Sequence, residues 1–109
     1  MNYSIKTIPQ FDKQLKRLVK KYPSFKDDFI HFTQSLRQMP DQGSLIGKNC
    51  YKIRIAISAR SKGKSDGARA ITNFVVSDNT VYLLNIYDKS EKQTITDKEL
   101  NELLKYVPV

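Results

Sequence analysis

Cys50-Tyr51-Lys52-Ile53-Arg54-Ile55-Ala56-Ile57 alternates strictly, so Tyr51, Ile53, Ile55 and Ile57 share one face of a strand while Lys52 and Arg54 share the other. The strand is half-buried and carries two cations on its open face. Ser58-Ala59-Arg60-Ser61-Lys62-Gly63-Lys64-Ser65-Asp66-Gly67 follows, a loop with no apolar anchor larger than Ala and with two glycines. Ala68–Ser77 and Thr80–Asp88 then flank the turn dipeptide Asp78-Asn79, which predicts a hairpin and a mainly antiparallel sheet. Lys52, Arg54, Arg60, Lys62, Lys64 and Arg69 fall within eighteen residues, and no acid intervenes before Asp66. Ordinary surface charge would be interspersed with acids, so this cluster favours a phosphate-bearing partner.

Working outward to the N-terminus, Asn2–Lys6 alternates weakly and reads as a first strand. After Thr7 as a cap and Pro9 in the first turn, Phe11, Leu15, Leu18, Val19 and Tyr22 recur at helical spacing. Lys13, Lys16, Arg17, Lys20 and Lys21 fill the opposite side, which gives the helix a basic back. Pro23 ends it and Ser24 caps a second helix, whose stripe is Phe25, Phe29, Phe32, Leu36 and Met39 before Pro40. So short a link predicts a helix hairpin with one apolar face laid on the sheet. Asp41–Asn49, with Gly43, Ser44, Gly47 and Asn49, reads as a surface loop. At the C-terminal side, Thr96-Asp97-Lys98-Glu99 is a capping box that opens a short helix through Leu100, Leu103 and Leu104. The expected fold is α+β in the order β-α-α-β-β-β-α, a four-stranded, mainly antiparallel sheet in a single domain over residues 1–109.

The totals narrow the function. Lys plus Arg number 19 against 11 Asp plus Glu, for a net charge of +8, and the pI is near 9.6. That balance suits nucleic acid, another polyanion or an acidic protein partner. One cysteine, Cys50, excludes an internal disulfide and a cysteine-based zinc cluster; at the start of a strand it reads as a small buried thiol. The N-terminal residues lack the apolar run of a signal peptide, and no segment approaches the ~20 apolar residues of a membrane span, so a soluble, cytoplasmic protein is expected.

Gly63-Lys64-Ser65 invites comparison with the phosphate loop of nucleotide hydrolases, but that motif requires a glycine at position 58, where Ser58 stands, and a helix after it, where a strand is expected. His31 lies off the apolar stripe of the second helix and reads as a solvated side chain. Asp88, Glu91, Asp97 and Glu99 follow no coordination spacing, so no metal and no cofactor are expected.

The order of these elements, with Cys50-Tyr51-Lys52-Ile53-Arg54 opening the second strand, resembles the RelE/ParE superfamily of bacterial toxins from toxin–antitoxin pairs. Gly67-Ala68-Arg69-Ala70-Ile71 resembles that family's Gly-x-Arg-apolar-apolar start of the third strand, and the lysine-rich loop with Leu84-Asn85-Ile86-Tyr87-Asp88-Lys89 looks most like the HigB-type RelE branch. The resemblance covers nearly the whole chain. It implies an endoribonuclease that enters the ribosomal A site, cuts messenger RNA there and is held inactive by a cognate antitoxin, which would present an acidic or amphipathic segment to the cationic groove. Lys52, Arg54 and Arg69 match basic positions that the family uses, and Tyr87 with Lys89 match its last catalytic positions. Some members carry histidines at the site, and this chain has none there, which excludes a histidine acid–base pair.

RNA is cut without water or metal when its own 2′-hydroxyl attacks the adjacent phosphorus, which leaves a 2′,3′-cyclic phosphate and a 5′-hydroxyl. The enzyme must remove the 2′ proton, neutralise the phosphoryl oxygens and protonate the leaving oxygen. Neighbouring cations disfavour the charged form of a lysine, which assigns proton transfer to Lys52 or Lys64 and charge stabilisation to Arg54 and Arg69. Arg60 and Lys62 would hold flanking phosphates, Lys16, Arg17 and Lys20 ribosomal RNA, and Tyr87 would stack a base or join the proton relay. A two-residue Asp78-Asn79 turn sets Ala70 opposite Tyr87, and Tyr87 and Arg69 then face opposite sides of the sheet. Only a one-residue change of register, or a bend at the strand end, unites them; otherwise Tyr87 packs beneath the C-terminal helix. Two other readings remain: a ParE-like gyrase inhibitor that cuts nothing, and a noncatalytic RNA- or ribosome-binding module.

Overall fold

The computed structural model describes residues 2–60 and 67–108. Lys62 and Lys64 lie outside the described residues. The elements run β1 (Ser4–Thr7), α1 (Pro9–Lys21), α2 (Phe25–Gln38), β2 (Ser44–Gly47), β3 (Cys50–Ile55), a single 3₁₀ turn at Ser58–Arg60, β4 (Ala68–Val75), β5 (Thr80–Asp88) and α3 (Asp97–Leu104). The sheet order is β1-β5-β4-β3-β2, with β1 parallel to β5 and every other pair antiparallel.

The α+β class and the element order are those expected, but the sheet has five strands rather than four. The additional strand is β2, inside the segment read as loop. Lys48 and Asn49 have φ of 55° and 60°, the left-handed pair of a two-residue type I′ turn, so Gly47 meets Cys50 and β2 folds back on β3. Asn-Gly or Asp-Gly is the usual signal for that turn; Lys-Asn hides it. Only four residues long and interrupted by a register shift between Leu45 and Gly47, β2 has no apolar alternation to betray it.

Several helix ends differ in detail. Thr7 closes β1 and Ile8 is the N-cap of α1, with Pro9 at the first helical position, where its missing N–H costs nothing. Ser24 precedes α2 but makes no side-chain cap bond. Met39 caps the C-terminus of α2 and is exposed, leaving the stripe to Phe25, Phe29, Phe32 and Leu36. The Thr96/Glu99 capping box forms in both directions.

Phe11, Phe25 and Leu36 are fully buried against the sheet face that carries Ile53, Ile55, Ala70 and Ile86; cutting such a phenylalanine to alanine costs ~3–5 kcal/mol. Alternation puts Cys50, Ile71, Asn73 and Asn85 on the other face, where they too are buried. Here Leu100, Leu103 and Val107 of the C-terminal segment complete the core, and Lys48 donates to Asn101 of α3. The second face is covered at that end and left open at the other, where Lys52 and Arg54 stand.

Register between β4 and β5 decides what shares the open face. The connection is a four-residue turn, Val76–Asn79, closed by Asn79 at φ 50°, so Val75 meets Thr80. A bulge then interposes Leu84 between Thr72↔Leu83 and Ile71↔Asn85. The longer turn and the bulge together displace the two-residue-turn register by one, and Arg69, not Ala70, opposes Tyr87.

Candidate functional site

Arg54 pairs across the sheet with Arg69, and Arg69 with Tyr87, so these three side chains occupy successive cross-strand positions on one face. Lys52 stands two residues before Arg54 on the same face, and Lys89 follows the end of β5. A cavity of about 470 Å³ is lined by Lys52, Arg54, Arg69, Lys89, Gln42 and Gln93. One glycine lines it, and a second lets the start of β4 approach β3 closely. Gly43, at φ +94°, lies where a Cβ would come within 2.5 Å of the Lys52 carbonyl oxygen, and a Cβ on Gly67 would meet the Ile55 carbonyl oxygen at 2.2 Å. The Gly67 carbonyl in turn accepts the Lys89 N–H at 3.1 Å, which fixes the start of β4 to the end of β5.

Like charges set side by side in a cleft focus its potential and draw anions towards it. Among the described residues no carboxylate forms an ion pair with Lys52, Arg54 or Lys89. Arg54 is exposed and Lys52 half-buried, while Arg69 is only 2% exposed and donates to the Ala68 carbonyl at 3.1 Å. Tyr87 is 7% exposed, and its buried hydroxyl has no hydrogen-bond partner among the described residues. Burial pushes its phenol up; the Arg69 charge pulls back part of that rise and Glu99 adds to it. The Lys92 ammonium lies over the ring, 5.9 Å from its centroid. Tyr87 thus shares the sheet face of Arg69, as a one-residue change of register requires, but is buried there beneath the segment that leads to α3.

Asp88, one residue on, turns to the opposite face and is fully buried. It accepts from Arg60 at 2.8 Å, from the Tyr22 hydroxyl at 3.1 Å and from the Ser90 N–H and hydroxyl at 2.9 and 2.8 Å, with Lys21 at 3.5 Å. Burial pushes its carboxyl up, but the bonds from Ser90 and Tyr22 and the charge of Arg60 outweigh that and hold it below the usual carboxylate range. Arg60, expected to hold a flanking phosphate, is therefore neutralised on the helix-hairpin face. Arg17 likewise pairs with Glu91 at 3.0 Å. Lys16 and Lys20 are exposed on α1 with no ion pair among the described residues.

Gln42 and Gln93 were not singled out by the sequence reading, and His31, read there as a solvated side chain, is exposed. His31, with Ser35 one turn on, lines a second cavity of about 250 Å³ together with Gln42 and Arg54, so it stands at the margin of the cationic cleft. Its i, i+4 spacing to Ser35, beside the phenylalanine stripe, was the signal available. Cys50 is a buried thiol hydrogen-bonded by Asn73 at 3.5 Å, and burial raises its pKa, which suits the packing role expected. Among the described residues no group of three His, Cys, Asp or Glu side chains is placed to hold a metal ion, and no helix is long and apolar enough to cross a membrane.

No protein-family model and no curated protein matches the sequence. Among solved structures the chain is similar to an arginine-to-alanine double mutant of the E. coli toxin RelE in the free state, with a TM-score of 0.62 and 17% identity over 99% of this chain and 100% of that one. It is similar to the isolated E. coli RelE toxin at a TM-score of 0.57 and 16% identity, covering 97% and 99%. A third match, at a TM-score of 0.52 and 16% identity over 99% and 100%, is a RelE mutant in complex with an antitoxin RelBc peptide. The expected fold is thereby borne out: the chain has the RelE fold.

Proposed function

We propose that this chain, with the fold of RelE, is a member of the RelE/ParE superfamily: the toxin of a toxin–antitoxin pair that acts in the cytoplasm as a ribosome-dependent messenger RNA endoribonuclease. The observation that carries this reading is the alignment of Arg54, Arg69 and Tyr87 across three adjacent strands beside Lys52. An RNA phosphate in the cleft meets Lys52 and Arg54, with the Arg69 guanidinium beside them. RelE structures in complex with the RelB antitoxin support an antitoxin as the second partner.

The chemistry follows from the side chains. Lys52 or Lys64 takes the proton from the 2′-oxygen, which attacks the adjacent phosphorus. Arg54 and Arg69 neutralise the phosphoryl oxygens as charge builds on them, worth about 10²–10³ in rate for each such donor. The bond from phosphorus to the 5′-oxygen breaks, and that oxygen takes a proton from Lys89 at the rim of the cleft. Tyr87 packs beside Arg69 with its hydroxyl buried, and its raised pKa keeps the phenol neutral there. Products are a 2′,3′-cyclic phosphate and a 5′-hydroxyl, and no water is consumed.

Primer extension on messenger RNA in a translation reaction, with and without ribosomes, tests the proposal. Cleavage that requires ribosomes and disappears in Lys52→Ala/Arg54→Ala/Arg69→Ala is expected. Intact messenger in the wild-type reaction would overturn it and direct attention to a gyrase supercoiling assay.

A further inference from the structure

We propose that the cavity between α2 and the free edge of β3 is a base-recognition subsite, which takes from single-stranded RNA the base flanking the phosphate on Lys52 and Arg54 and selects bases with an exocyclic amino group. This rests on the RNA-binding part of the reading above and extends it to sequence preference.

β2 pairs with β3 only from Cys50 to Lys52, so among the described residues no strand lies beside Ile53–Ile55 on that side. The space left there is the cavity of about 250 Å³ that His31 lines, below the ~300–1,000 Å³ typical of whole small-molecule sites and suited to one ring system. It shares Gln42 and Arg54 with the 470 Å³ cationic cleft, so the two are joined through those side chains. A nucleotide with its phosphate in the cleft has its base within reach of the cavity.

The linings divide the labour. Lys52, Arg54, Arg69 and Lys89 make the cleft an anion site, whereas Asp28 puts a carboxylate into the smaller cavity and disfavours a phosphate there. Asp28 is held by the backbone N–H of Ser58 at 3.0 Å and by the Ser58 hydroxyl. Phe32, Ile55 and Ala56 supply apolar surface, and His31 supplies a ring of the kind on which unstacked bases lie. Gln42 gives the selectivity. Its amide nitrogen donates to Ser35 Oγ and to the Met39 carbonyl, both at 3.2 Å, so both N–H groups are used and its oxygen remains as acceptor. Adenine, cytosine and guanine can donate an exocyclic amino N–H to that oxygen; uracil has only its ring N3–H, flanked by two carbonyls that the same oxygen repels.

Two measurements test this. In the ribosome reaction, cleavage sites are expected to favour amino-bearing bases over uracil about fivefold at one fixed position beside the cut, the worth of one neutral hydrogen bond. Gln42→Leu should bring that ratio to unity, and Ser35→Ala, which frees the amide, should reduce it; the ratio, not the total rate, is the readout. Fluorescence anisotropy with 2′-O-methylated oligo(A), oligo(C) and oligo(U) hexamers removes the nucleophile and tests binding even if no messenger is cut. Tighter binding of oligo(A) and oligo(C) than of oligo(U), lost in Gln42→Leu with its melting temperature retained, upholds the subsite. Equal binding of the three hexamers, binding of none, or a base ratio unmoved by Gln42→Leu overturns it.

Discussion

Tyr87 and Asp88 are neighbours on β5 and look out on opposite faces of the sheet, into two basic regions of opposite design. On the Asp88 face Arg60 and Lys21 close on one buried carboxylate, and Arg17 closes on Glu91 nearby. On the Tyr87 face Lys52, Arg54 and Lys89 converge with no ion pair to a carboxylate among the described residues. The first set of cations is spent on joining α1, the turn after β3 and the end of β5. The second has no such carboxylate among the described residues. A surplus of +8 is therefore unevenly available, and identical residue types are paired with carboxylates on one side and left open on the other.

If that division is right, Lys52→Ala/Arg54→Ala should lower ribosome-dependent cleavage by at least ~10³-fold while moving the melting temperature by less than about 3 °C. Asp88→Ala should do the reverse. Removing the partner of a buried, hydrogen-bonded ion pair costs about 3 kcal/mol, or a fall of ~12–24 °C in melting temperature for a domain of this size. A large loss of stability in the first variant would break the comparison.

Acid sharpens it. Asp88 and Glu99 both have carboxyls depressed in the folded state, Asp88 for the reasons given and Glu99 chiefly through its hydrogen bonds from Lys92 and the Thr96 N–H. A depressed carboxyl contributes stability that is fully present above the ordinary value of ~4 and is lost as the pH falls through the lower folded value. The denaturation midpoint should therefore hold from pH 7 to 5 and fall below pH ~4, less steeply in Asp88→Asn. Smaller again, Lys16→Glu/Lys20→Glu should weaken ribosome association with a reduced salt slope and leave the melting curve in place. Smallest is the Arg17–Glu91 pair: both side chains are substantially exposed, and a double-mutant cycle should return under about 1 kcal/mol.

The residues that could be read directly were those whose periodicity matched their element. Ile53 and Ile55 declared the buried side of β3, Phe11 and Leu18 that of α1, and Thr96 with Glu99 the start of α3. Lys52, Arg54 and Arg69 could be grouped because two lie on one alternating strand and the third opens the next. Arg60 could not be separated from them, since nothing local distinguishes a guanidinium that will meet Asp88, 28 residues on, from one that will stay open. β2 was hidden because Lys48 and Asn49 take left-handed backbone without the usual glycine.

The chain's own pattern determined the α+β class, the two amphipathic helices, the cationic strand and the excess of positive charge, because each depends on residues close in sequence and on the fixed periods of helix and strand. Tertiary structure alone decided that Tyr87 stands beside Arg69, that Asp88 claims Arg60, and that β1 enters parallel to β5. These depend on a turn longer by two residues, a bulge at Leu84 and contacts between distant segments, and a one-residue shift of register turns every side chain of a strand to the other face.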